Sequence, residues 1–107
     1  MSETGAQSFL LDNRPVAADG RSTFTVTDPA DGTTVAQVVR ATSDDARAAL
    51  ESSARTQPAW EAIGATARAK VLREAAGRLR ARAEELALTM TREMGKVMVE
   101  SRSEVEG

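Results

Sequence analysis

Neither cysteine nor histidine occurs anywhere in the 107 residues, and with them go two side chains that often carry covalent or acid–base chemistry near neutral pH. Without cysteine there is no disulfide, no thiolate nucleophile and no sulfur-ligated metal. Tyrosine is also missing and the aromatics are limited to Phe9, Phe24 and Trp60, so a core has to be assembled from Ala, Val, Leu and Met. A chain of this size buries only about 60 to 65% of its unfolded surface even when compact. Small side chains make that burial weak, and a missing partner surface is expected.

Neither charge sign dominates. Fourteen basic against sixteen acidic residues give a net charge of −2, so no nucleic-acid partner and no membrane partner is expected. Residues 1–7 carry no basic segment followed by an apolar one, and no apolar run approaches the ~18 residues that span a bilayer. The expectation is a cytoplasmic protein.

Residues 1–7, small and polar, are expected to be disordered, leaving 8–107 as one structured segment. Ser8-Phe9-Leu10-Leu11 predicts a short strand, stopped by Asp12-Asn13-Arg14-Pro15, with Val16-Ala17 as a return strand. Thr23-Phe24-Thr25-Val26-Thr27 alternates between apolar and hydroxyl side chains, as a half-buried strand does. The turn Asp28-Pro29-Ala30-Asp31-Gly32 and the β-favouring run Thr33–Val39 complete a predicted antiparallel hairpin.

At Thr42-Ser43-Asp44-Asp45 hydroxyls suited to an N-cap precede two carboxylates that the helix dipole favours, so a helix begins. Ala46, Ala49, Leu50 and Ser53 follow at helical spacing, and Pro58 is expected to end the pattern, with Trp60 filling an elbow between helices. Beyond Gly64 the apolar positions Leu72, Ala75, Ala76, Leu79, Ala83, Leu86, Ala87 and Met90 predict one or two long amphipathic helices. Gly95 is the expected left-handed residue closing them, and Val97-Met98-Val99-Glu100 opens a further helical segment that stops at Gly107 without a cap.

Self-contained chemistry is not found in this pattern. The seven glycines are dispersed, so neither a GxGxxG fingerprint nor a phosphate loop is present, and Met94-Gly95-Lys96-Val97 matches the latter only at Gly-Lys. Ser52, Ser53, Ser101 and Ser103 have only Lys70 and Lys96 as conceivable bases, and they read as solvent-exposed helix serines, which explains them without strain. Asp44/Asp45 and Glu84/Glu85 are neighbours about 100° apart on a helix and read as helix-start charges, not paired acids.

The ordered series Phe24 to Gly32, Pro58-Ala59-Trp60, the Arg/Leu/Ala-rich helix to Glu84-Glu85-Leu86-Ala87, and Thr91-Arg92-Glu93-Met94-Gly95-Lys96 resembles the N-terminal region of the aldehyde dehydrogenase superfamily. The resemblance runs from about residue 9 to Gly107. It implies an α/β parent fold with a Rossmann-type cofactor domain, of which this segment supplies a β-hairpin region followed by α-helices. It also implies a parent enzyme that oxidises an aldehyde with NAD or NADP through a cysteine thioester and forms a homodimer or homotetramer. In the family the nucleophile, the glutamate base, the oxyanion-binding asparagine and the cofactor loop all lie beyond the point matching Gly107. On this reading the 107 residues are an N-terminal fragment, part of the cofactor-binding domain, inactive alone and without catalytic or nucleotide-binding residues.

Some members bind a monovalent cation through backbone carbonyls before the Asn/Asp-Pro turn and a carboxylate just before the Gly-Lys pair. The resemblance places that site here at Val26, Thr27 and Glu93, with glutamate where a shorter aspartate occurs elsewhere. The wording of Thr91 to Lys96 is similar to bacterial members of the succinate-semialdehyde branch. The competing reading is a non-catalytic helical module that binds or oligomerises through the Leu72–Met90 stripe.

Overall fold

A computed structural model describes residues 5–107 as two short antiparallel strand pairs followed by four helices. The order is β1 (Phe9–Leu11), β2 (Arg14–Val16), β3 (Thr23–Thr27), β4 (Thr34–Val39), α1 (Ser43–Ala62), α2 (Ala65–Ala81), α3 (Ala83–Met94) and α4 (Met98–Glu106). Two compact units result, one made of residues up to Val26 with Ala36–Ala62, the other of Thr27–Val35 with Ile63–Gly107.

In the first unit β1 and β2 form a hairpin with Phe9 opposite Val16, Leu10 opposite Pro15 and Leu11 opposite Arg14. The turn is tighter than the expected four residues. Asp12 and Asn13 alone make it, at φ 50° and 63°, and two positive φ values are what a two-residue hairpin turn of the right twist demands. The return strand therefore starts at Arg14, and Pro15 is accommodated because a two-stranded sheet has only edges.

The expected disorder of residues 1–7 falls partly outside the described residues, which begin at Gly5. At Gln7 the structure differs from that expectation. Its N–H donates to the Gln37 carbonyl at 2.7 Å and its carbonyl accepts from Val39 N–H at 2.9 Å, a parallel bridge onto β4. Backbone bonding of this kind needs no side-chain signature, so composition gave no sign of it.

Helix α1 runs through Pro58 to Ala62. Proline removes one N–H and crowds the carbonyl four residues back, but only one turn of helix follows it, so little of the ladder depends on that bond. Trp60 is accordingly a half-buried residue in the last turn of α1 and not part of a helix-free elbow. The helix face also differs from expectation. Ala46, Ala49, Leu50 and Ser53 are exposed, Leu50 by 72%, while Asp45, Ala48 and Ser52 face inward. Hydrogen bonds to distant residues, and not apolar periodicity, set the rotation of α1.

The second unit is built on α3 and α4. Ala87 and Ser101 are fully buried, and two small side chains there let the helices approach closely. Thr91 and Ser101 hydroxyls are 2.9 Å apart, and the Thr91 hydroxyl donates to Met98 Sδ. Arg102 spans both oxygens of Glu84 at 2.7 and 3.0 Å, and Lys96 pairs with Glu104. The long amphipathic pattern resolves into two helices broken at Arg82, and Gly95 closes α3 at φ 77° with its N–H on the Thr91 carbonyl. The buried apolar side chains of the described residues are Val39 and Ala87, the thin core that composition predicts.

Candidate functional site

Three hydrogen-bonded junctions fix the non-helical segments. At the first, Thr42 caps α1. Its Oγ1 accepts from Asp45 N–H at 3.2 Å, while Asp45 Oδ2 accepts from Thr42 N–H at 2.7 Å and from the Thr42 hydroxyl at 2.9 Å. This is a capping box with aspartate in the third helical position, satisfying donors at both residues. Arg21 then donates to both oxygens of Asp45, at 2.6 and 3.0 Å, and lies 5.6 Å from the centre of the Phe9 ring. The Arg21 guanidinium first, and then the Thr42 donors, hold the Asp45 carboxyl well below the usual carboxylate range.

The second junction joins the β1–β2 turn to the middle of α1. The buried Ser52 hydroxyl donates to Asp12 Oδ1 at 2.7 Å, with Arg55 4.0 Å from the same oxygen. An open cleft of about 310 Å³ lies there, lined by Leu10, Asp12, Asn13, Ala49, Ser52 and Thr56 among others.

The third is the turn between β3 and β4. Asp28 Oδ1 accepts from Ala30 N–H, and Asp31 Oδ1 accepts from both the N–H and the hydroxyl of Thr33, which holds the Asp31 carboxyl down. Pro29 presses on the α3 terminus: a Cβ on Gly95 would sit 2.9 Å from Pro29 Cγ. Glycine is required at 95 twice over, by the positive φ and by this approach.

The implied cation ligands lie on two elements, Val26 and Thr27 on β3 and Glu93 on α3. Val26 is half-buried and Thr27 exposed at the end of β3, and Glu93 is exposed in the last turn of α3. Thr27 and Glu93 belong to the second unit and Val26 to the first. Among the described residues no group of three or more His, Cys, Asp or Glu side chains could hold a metal ion, so any ion there would rely on backbone carbonyls.

The residues present do not fit a dinucleotide. Its pyrophosphate needs a glycine-bearing strand-to-helix turn opening on free N–H groups. The one strand-to-helix passage among the described residues, Arg40-Ala41-Thr42, has no glycine, and Thr42 and Asp45 already occupy the N-terminus of α1. Of the serines weighed as nucleophiles, Ser52 is engaged by Asp12 and Ser101 by Thr91, and of the two conceivable bases Lys96 is paired with Glu104. No helix among the described residues is long and apolar enough to cross a membrane.

Residues 16–107 match the family model described as the aldehyde dehydrogenase family. The chain belongs to the aldehyde dehydrogenase family. Its backbone is similar to that of an aldehyde dehydrogenase from Brucella melitensis biovar abortus 2308, at 34% identity and a TM-score of 0.87, covering 99% of this chain and 22% of that one. It is similar to aldehyde dehydrogenase 21 from Physcomitrella patens, solved with the reaction product succinate, at 33% identity and 0.85, covering 98% and 21%. An NADP-dependent enzyme of E. coli matches at 31% identity and 0.88, covering 99% and 22%. The chain thus spans about a fifth of the length of these proteins, and the α/β class expected from the resemblance is that of the family.

The Thr-x-x-Asp spacing at 42–45 announces the cap, but nothing local marks Arg21 as its third member or Asp12 as the partner of Ser52. Those pairs are 24 and 40 residues apart in sequence.

Proposed function

We propose that these residues are a scaffold portion, within the cofactor-binding domain, of an NAD(P)-dependent aldehyde dehydrogenase that converts an aldehyde to a carboxylic acid through a cysteine thioester. The observation that carries the reading is the match to the family over 16–107, joined to a backbone likeness along 99% of the chain. Because this chain has no cysteine and its described residues hold no dinucleotide cradle, the nucleophile and the nicotinamide site come from the rest of that enzyme, and residues 1–107 alone are inactive. NAD(P) supplies the hydride acceptor. What the present residues contribute is a braced hairpin and helix platform.

The NADP dependence of the E. coli relative supports a nicotinamide cofactor, and the product succinate held by the Physcomitrella patens enzyme supports a semialdehyde substrate of that type. A homodimeric or homotetrameric cytoplasmic enzyme is the assembly and location this reading carries. A monovalent cation on the Val26 and Thr27 carbonyls and the Glu93 carboxylate belongs to the same proposal. The seating of Pro29 against Gly95, which draws the sequence neighbours of Thr27 and Glu93 together, supports it.

The test is a chimera in which residues 7–107 replace the matched segment of the Brucella enzyme. Aldehyde-dependent reduction of NAD or NADP is expected from the chimera and none from the chain alone. A chimera that folds but turns over no aldehyde would overturn the reading. A second reading, a helical interaction module, is favoured by the exposure of Leu72 and Leu79, and it requires a sharp cooperative melt and one discrete oligomer from residues 1–107.

A further inference from the structure

Helix α2 carries a heptad that the described residues leave open. Ala69, Leu72, Ala76 and Leu79 fall at alternating intervals of three and four and make one seam, continued by Ala83 at the start of α3. Leu72 is 63% and Leu79 53% exposed, while the alanines between them are half-buried. Alanine at alternate seam positions allows a facing helix to come close, and leucine supplies the knobs.

The edge of the seam is cationic. Arg73 and Arg80 each follow a seam leucine, seven residues or about 10.5 Å apart along the helix, and neither makes an ion pair among the described residues. Near its C-terminal end the seam borders a groove of about 280 Å³ lined by Ala76, Leu79, Arg80, Glu104 and Val105. The rim is therefore basic on the α2 side and acidic on the α4 side.

We propose that this seam receives one amphipathic helix from the remainder of the dehydrogenase polypeptide, with carboxylates about two turns apart along the edge that meets Arg73 and Arg80. The inference rests on the function proposed above. A second copy of α2 does not fit: the matching edge positions would set arginine against arginine or alanine. An anionic bilayer is a poorer occupant, because the apolar side offers two leucines and no aromatic anchor. The arginine fork, which binds carboxylates in a fixed plane, matches an acidic helix edge.

The test uses the dehydrogenase polypeptide that contains these residues, as R73K and R80K variants treated with a water-soluble carbodiimide, which joins amines to carboxylates in direct contact. Mass spectrometry is expected to find both positions bridged to Asp or Glu residues about seven apart in one segment of the same polypeptide. Bridges to a separate protein, bridges only to Glu74, Glu104 or Glu106, or no bridge at either position would overturn the inference. Aldehyde oxidation measured on the same preparation separates the two claims. An active enzyme without the bridges removes the docking seam alone, whereas a purified polypeptide of 11.4 kDa with no activity removes the function it rests on.

Discussion

Arg21 and Asp45, 24 residues apart, meet through two parallel hydrogen bonds, and the same carboxylate is the reciprocal member of the α1 cap. One side chain thus both starts a helix and anchors the loop before β3.

The folded Asp45 carboxyl is held low by Arg21 and Thr42, so its contribution to stability is complete above the unfolded value of about 3.9 and is lost as pH falls below it. Thermal melts followed by circular dichroism should show the midpoint dropping steeply between about pH 4 and pH 2. In D45N the neutral-pH midpoint should be lower and the acid slope shallower. An unchanged acid slope in D45N would remove Asp45 from this role.

Gly95→Ala should destabilise by about 1–2 kcal/mol for the left-handed backbone, with a further loss from the collision with Pro29 Cγ. Pairing it with P29A separates the two contributions. The double variant should recover the collision part and retain the backbone part, and strictly additive losses in urea unfolding would show that the two residues do not press on each other.

At the β1–β2 turn, two substitutions should have opposite signs. N13G should stabilise by up to about 1 kcal/mol, since glycine takes a positive φ without strain. Ser52→Ala should destabilise by about 1 kcal/mol through loss of the bond to Asp12. Equal behaviour of the two in denaturant melts would contradict the turn geometry.

Ser101→Leu should cost about 1–3 kcal/mol or more, because a fully buried serine between α3 and α4 leaves no room for added methylenes. S101A should be far milder. Reversal of that order, measured by urea unfolding, would mean that the Thr91 bond and not close packing holds the pair.

What the sequence discloses follows the range over which its physics acts. Hairpin β3–β4 is legible because the Thr/Phe/Val alternation and the Asp28-Pro29 turn are local, and so are the helix start at Thr42 and the stop at Gly95. Pro58 misleads because its effect depends on how much helix follows it, and only one turn does. The inward face of α1 is illegible from periodicity: Asp45 and Ser52 are turned in by Arg21 and Asp12, which lie far off in sequence. The family is readable from the order of short motifs. Of the implied cation ligands, the Val26 and Thr27 carbonyls are not readable from side chains, since carbonyl oxygens carry no sequence signature.

The seating of Pro29 against Gly95 also has a temporal side. The two residues are about 66 positions apart, so at about 5–20 residues per second a ribosome makes the first roughly 3–13 seconds before the second. During that interval the partners of the Asx bonds, Asp28 to Thr33, have been made but the seat has not. Until the end of α3 has been made, the loop has no seat to dock on.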